Sequence, residues 1–107
     1  MIIIETSVFT RRIKELMSDD EYKDLQEALV NRPDMGAIIQ GTGGLRKVRW
    51  KLEGTGKSGG VRVIYYWMTK DEHIYMLYVY PKSEQEDLTQ KQKQALKTIV
   101  EGWSDER

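Results

Sequence analysis

Two hydrophobic periods run along this chain, and the changes from one to the other mark its elements. Residues 2–5 are apolar and β-branched up to Glu5, which predicts a short strand. Phe9, Ile13, Leu16 and Met17 then recur at helical spacing, with Ser7 or Thr10 as the expected cap. Ser18-Asp19-Asp20-Glu21 has the form of a capping box, in which the serine oxygen accepts from the Glu21 amide and the glutamate reaches back. Tyr22, Leu25, Ala28 and Leu29 carry a second amphipathic helix. Pro33 ends it, because a residue before proline is pushed out of the helical region. Residues 7–32 therefore predict a helical hairpin with a tight joint.

Gly36, Gly41, Gly43 and Gly44 mark a loop, after which the period shortens to two. Leu45–Leu52, Gly60–Met68 and His73–Tyr80 predict three antiparallel strands. A glycine-rich stretch, Gly54–Gly60, joins the first two, and a tight turn at Lys70-Asp71-Glu72 joins the last two. Thr89-Gln90-Lys91-Gln92 repeats the capping-box pattern, and Leu96, Ile99, Val100 and Trp103 share one face of a closing helix. The expected architecture is α+β: an N-terminal strand and helical hairpin, a three-stranded antiparallel sheet and a C-terminal helix, with the helices on one face of the sheet. Trp50, Trp67 and Trp103 are expected in the core.

Length and composition narrow the class. With 107 residues, one domain spanning 1–107 is expected. The 39% hydrophobic and 32% charged content is that of a globular chain rather than a disordered one. There is no cysteine, which excludes disulfides and thiolate metal sites. Met1-Ile2-Ile3-Ile4 meets Glu5 at once and lacks a basic lead-in, so neither a signal peptide nor a membrane span is expected, and the cytoplasm is the expected location. Net charge is zero, but it is unevenly spread. From Gly41 to Arg62 there are six bases (Arg46, Lys47, Arg49, Lys51, Lys57, Arg62) against the single acid Glu53, a local +5. Such a local field steers anionic ligands even when the total cancels.

Strand alternation turns this cluster into a candidate surface. Lys47, Arg49 and Lys51 share one face, while Val48, Trp50 and Leu52 share the other, the expected core face. If the next strand pairs alongside, Arg62 sits beside Arg49 or Lys51, with Tyr66 and Tyr80 bordering an exposed cationic face. Cations hold phosphates and aromatic rings stack on bases, the combination that suits single-stranded RNA. The alternative is a solvated sheet face whose bases guard against edge pairing. Gly54-Thr55-Gly56-Lys57-Ser58 resembles part of a phosphate loop. However, position 51 is lysine where the pattern needs glycine, and the segment feeds a strand rather than a helix, so nucleotide hydrolysis is excluded. His73, the only histidine, stands at a turn and is expected to play a surface role. With no His-x-x-x-His spacing, neither a metal nor any other cofactor is expected. Glu84, Glu86 and Asp87, just before the closing helix, are expected to be dipole and solubility features.

Three segments, in order behind a helical hairpin, carry a more specific likeness: Gly41-Thr42-Gly43-Gly44-Leu45-Arg46-Lys47-Val48-Arg49, Gly56–Tyr66 and Tyr80-Pro81-Lys82-Ser83-Glu84-Gln85-Glu86-Asp87-Leu88-Thr89. Together they resemble the RelE/HigB superfamily of toxins from type II toxin–antitoxin systems, in its HigB-type branch. The resemblance implies a microbial-ribonuclease-like fold and mRNA cleavage in the ribosomal A site, by attack of a ribose 2′-hydroxyl on the adjacent phosphate. It also implies, as partners, a cognate antitoxin of helix-turn-helix type, the ribosome and mRNA, with operator DNA bound only through the toxin–antitoxin complex. By position, Lys51, Lys57, Arg62 and Lys82 match catalytic cations. Arg49 and Lys51 match the paired bases of the family's first long strand, and Arg46, Lys47 and Arg49, with Tyr66 and Tyr80, are the expected RNA-binding residues. Leu88 stands where RelE carries a tyrosine, leaving Tyr80 and Tyr66 as candidates for that role. Two alternatives share the fold: a ParE-like gyrase inhibitor, which would give gyrase-dependent DNA breaks, and a non-catalytic RNA- or ribosome-binding module, which would stop translation without new mRNA ends.

Overall fold

A computed structural model of the chain describes residues 1–52 and 60–105. The elements run β1 (Ile2–Glu5), α1 (Ser7–Leu16), α2 (Asp19–Asn31), β2 (Ala37–Ile38), β3 (Leu45–Trp50), β4 (Val61–Met68), β5 (His73–Pro81) and α3 (Gln90–Asp105). The helical hairpin is present, but the cap of α1 is neither Ser7 nor Thr10. Thr6 accepts from the Phe9 amide at 3.1 Å while its hydroxyl donates to the Leu77 carbonyl at 2.9 Å, so one side chain both starts the helix and ties it to the sheet. The two capping boxes form as expected. The Glu21 amide donates to Ser18 Oγ at 3.1 Å and the Ser18 amide to Glu21 Oε1 at 2.9 Å; Thr89 and Gln92 make the same reciprocal pair.

The sheet has five strands, not three, in the order β1-β5-β4-β3-β2. β1 joins the outer edge of β5 in parallel, with Ile2 opposite His73 and Glu5 opposite Met76, and the two-residue β2 closes the far edge against Arg46 and Lys47. A four-residue strand and a two-residue strand are too short to advertise partners in a sequence. The helices also lie on both faces, which corrects the expected one-faced packing. Phe9, Ile13, Leu25 and Leu29 of α1 and α2 pack with Val48, Val63 and Tyr65, whereas Val100 of α3 packs with Leu45, Ile64 and Tyr80 on the opposite side. The central strand explains why: Val61 to Tyr65 is buried without a break, Arg62 included, as in a strand covered on both faces rather than a half-wet one. Ile99, expected on the core face of the closing helix, is 40% exposed, and the Trp103 side chain lies outside the described residues.

The loop before β3 is anchored by Tyr65, whose buried hydroxyl accepts from the Gly36 amide at 2.8 Å and donates to the Pro33 carbonyl at 2.7 Å. Even a methyl group at position 36 would come within 2.8 Å of that ring, so glycine is required there. Tyr65→Phe strands both backbone groups in the interior and is expected to cost about 1–3 kcal/mol. Chemical denaturation should show a lower midpoint at unchanged slope; an unchanged midpoint would show that water takes over both bonds.

Candidate nucleic-acid interface

The register of β3, β4 and β5 decides which side chains meet. Arg49 lies opposite Arg62, and Arg62 lies opposite Tyr80, giving one row across three strands. The next row toward the sheet interior is Lys47, Ile64 and Tyr78; the one beyond it is Leu45, Tyr66 and Tyr75. Side chains of one row on paired strands share a face, here the face that carries α3. A register irregularity between Ile64 and Tyr65 lets β5 slip by one residue, which keeps Tyr78 and Tyr80 on this side.

Past the row of arginines the strand ends converge on Gly60. Its carbonyl accepts from the Lys82 amide at 3.1 Å, and a Cβ placed on it would lie 3.0 Å from Lys51 Cα and 2.2 Å from the Trp50 carbonyl. With φ at +66°, this position takes glycine on both counts. Lys51 and Lys82 thus flank one backbone atom group, each two residues beyond a member of the Arg49–Arg62–Tyr80 row. The structure therefore brings together Lys47, Arg49, Lys51, Arg62 and Lys82. Lys57 lies outside the described residues.

Depth within the site differs. Arg49, Lys51 and Lys82 are exposed, Lys47 is half-buried, and Arg62 is only 4% exposed, at the floor. Tyr80 is fully buried, which corrects its expected place as a ring bordering an exposed face: no π face is open to a base. Its hydroxyl has no hydrogen-bond partner among the described residues. Burial, then the nearby Asp87 carboxylate, push the Tyr80 phenol up to about 12, against the opposing pull of Arg62 and Arg49. Tyr66 is on the same face but four residues along β4 from Arg62, roughly 13 Å away, with its ring packed under Gly44. Arg46 takes the other face. Its guanidinium donates to the carbonyls of Gly36 (2.8 Å) and Asp34 (3.3 Å) and lies over the Trp67 ring, so it is occupied in holding the loop before β3. Leu88 is 6% exposed and belongs to the α3-side core.

Asp87 was not expected here. Its carboxylate accepts from Lys47 Nζ at 2.5 Å, and the hydrogen bond and charge of Lys47, with Lys93 and Arg49 nearby, hold its carboxyl below the usual range. An acid before a helix is common enough to carry no signal by itself; only the fold shows that this one sits over a cationic row. The same is true of Lys93, whose nearness to Asp87 follows from where α3 packs.

A five-stranded sheet covered by helices on both faces, with cations gathered at one end of the α3 face, defines a class of small α+β domains, and comparison with known proteins gives the family. The family model described as the RelE toxin of the RelE/RelB toxin–antitoxin system matches residues 1–106. Solved structures agree in fold. The isolated E. coli RelE toxin aligns with a TM-score of 0.59 at 15% identity, covering 92% of this chain and 97% of that one. The intact E. coli RelBE toxin–antitoxin complex gives 0.59 at 13% identity, over 75% and 94%. An E. coli RelE mutant in the free state gives 0.57 at 15%, over 79% and 86%. The chain belongs to the RelE toxin family.

The raised phenol gives a pH prediction. Between pH 10 and about 12 the folded protein keeps the Tyr80 proton that the unfolded chain has lost, so this contribution to stability is complete below pH 10 and disappears as pH rises through about 12. The difference in phenolate absorbance between wild type and Tyr80→Phe should show a step near pH 12; a step near pH 10 would place the hydroxyl in water.

Proposed function

We propose that this RelE-family toxin is a ribosome-dependent mRNA endonuclease that stops translation by cutting mRNA in the ribosomal A site, and that its whole length acts as one domain. The observation that carries the reading is the convergence of Lys47, Arg49, Lys51, Arg62 and Lys82 at one end of one sheet face. A ParE-like gyrase inhibitor has no need of such a row. Placement in the HigB-type branch rests on the sequence segments alone.

The chemistry assigned is transfer within the RNA. The ribose 2′-oxygen attacks the adjacent phosphorus, the bond to the 5′-oxygen breaks, and the products are a cyclic phosphate end and a 5′-hydroxyl end. The 2′-hydroxyl proton leaves to a base, and the departing 5′-oxygen takes a proton. Arg62 and Lys82 are assigned to the extra negative charge on the pentacoordinate phosphorus, and Lys51 to proton transfer, with Lys57 as its alternative. Tyr80, protonated throughout the neutral range, can donate a hydrogen bond there but cannot act as a base. Because it and Arg62 are buried, productive binding requires the segment carrying Asp87 to shift, with a phosphate taking the place of its carboxylate on Lys47. A site without a histidine, the single His73 lying at the far end of β5, is a weak free-standing nuclease. The ribosome supplies the missing factor by holding the mRNA in attack geometry, an effect worth about 7–11 kcal/mol. The partners proposed are the ribosome and its mRNA, an antitoxin of helix-turn-helix type, and operator DNA through that antitoxin. The proposed location is the cytoplasm; no helix among the described residues is long and apolar enough to cross a membrane.

The test is cleavage of mRNA on programmed ribosomes. Lys82→Ala, at an exposed position, should leave the fold intact and slow cleavage by ~100-fold or more. Arg62→Ala should slow cleavage likewise, with Arg62→Lys recovering part of the rate if charge rather than packing is what was lost. Wild-type rates in Lys82→Ala would remove Lys82 from the chemistry, and failure of the wild type to cut would end the nuclease reading.

A further inference from the structure

Beside the cationic row lies a second polar cleft that the cleavage chemistry does not use. It holds about 140 Å³ between the loop at Gln40 and Gly41 and the first two turns of α3, where Gln90, Lys93, Gln94 and Lys97 form its wall. No acid lines it. Gln40, Gln90 and Gln94 are exposed and Lys93 and Lys97 half-buried, and none of these side chains is engaged in a hydrogen bond or ion pair among the described residues, so all are available to a ligand. Asp87 links the cleft to the cationic face: it is bound to Lys47 at the one and feels the charge of Lys93 at the other.

We infer that this cleft is a second subsite for single-stranded RNA, taking the backbone and one base of the strand after it leaves the Arg49–Arg62 row. The inference rests on the RNA reading of that row. Lys93 and Lys97 are one helical turn apart, a rise of ~6 Å, comparable to the step between successive phosphates of an extended strand. The two ammonium groups take those phosphates. The amides of Gln94 and Gln40 each carry both a donor and an acceptor, the pattern that meets the Watson–Crick edge of an unpaired base. The volume is that of about five waters, enough for one such group and not for a folded element of a partner. An acidic peptide would satisfy the lysines but leave the amides without matched planar partners, so RNA is the occupant the lining favours.

The experiment is binding of non-cleavable oligoribonucleotides of about two and about six nucleotides to the intact protein across a range of salt. For the longer strand, Lys93→Gln/Lys97→Gln should lower the slope of log affinity against log salt by about 1.4, since each phosphate contact on a single strand contributes about 0.7. The shorter strand should bind both proteins alike. Gln94→Ala should narrow the difference in affinity between homopolymers of different bases. Wild-type affinity and slope for the longer strand in the double variant overturn the subsite, as does an acidic peptide that binds with the same dependence on Lys93 and Lys97. A wild type that binds the longer strand through α3 yet cuts no ribosomal mRNA supports the subsite while removing the nuclease reading, so the two fail separately.

Discussion

Arg49 and Arg62 face one another across antiparallel strands, and the site follows from that one pairing. Like charges directly opposite in a sheet are destabilising. The arrangement persists because the register is fixed by other residues. Val48 opposite Val63 and Trp50 opposite Val61 pack under α1 and α2, and a slip of one position would expose that whole set. The hydrophobic core thus holds the cations against their own repulsion. In the free protein part of that charge is answered by Asp87, which spans from Lys47 toward Arg49 and Lys93. A phosphate answers it better, with more acceptor oxygens and no side-chain tether.

The buried members give the site its stiffness. Arg62 is enclosed and Tyr80 is enclosed beside it, so neither side chain needs to be ordered when a ligand arrives. The exposed Arg49, Lys51 and Lys82 supply reach and attraction but lose side-chain freedom on binding. An enclosed floor with an exposed rim suits the proposed activity, in which the ribosome would deliver and orient the substrate. Gly60 makes the junction possible: no side chain fits against the Trp50 carbonyl there, while its own carbonyl takes the Lys82 amide, so the ends of β3 and β5 approach one another closely.

Much of this was legible in the sequence where local rules act. Both capping boxes, the helical hairpin, the three long strands and the split of Lys47 and Arg49 from Val48 and Trp50 follow from spacing alone. Arg46 was legible too: it stands at odd spacing from Arg49, so alternation alone assigns it to the opposite face, and grouping it with the cluster by proximity in sequence set that parity aside. What could not be read depends on contacts between distant segments. The parallel pairing of β1 with β5 spans most of the chain, and the position of α3 on its own face decides that Asp87 and Lys93 enter the site. Tyr80 reads as a border residue because it closes a strand; Leu88 and Val100, from the residues that follow, share the core cluster that buries it.

The central claim is that message lies on the face of β3 that carries Arg49. A photo-cross-linking residue introduced at position 49, in toxin bound to a ribosome with a defined codon in the A site, tests it most directly. The account predicts a covalent adduct to the mRNA at that codon. An adduct to ribosomal RNA alone, or an mRNA adduct only when the cross-linker replaces Arg46 on the opposite face, would contradict it.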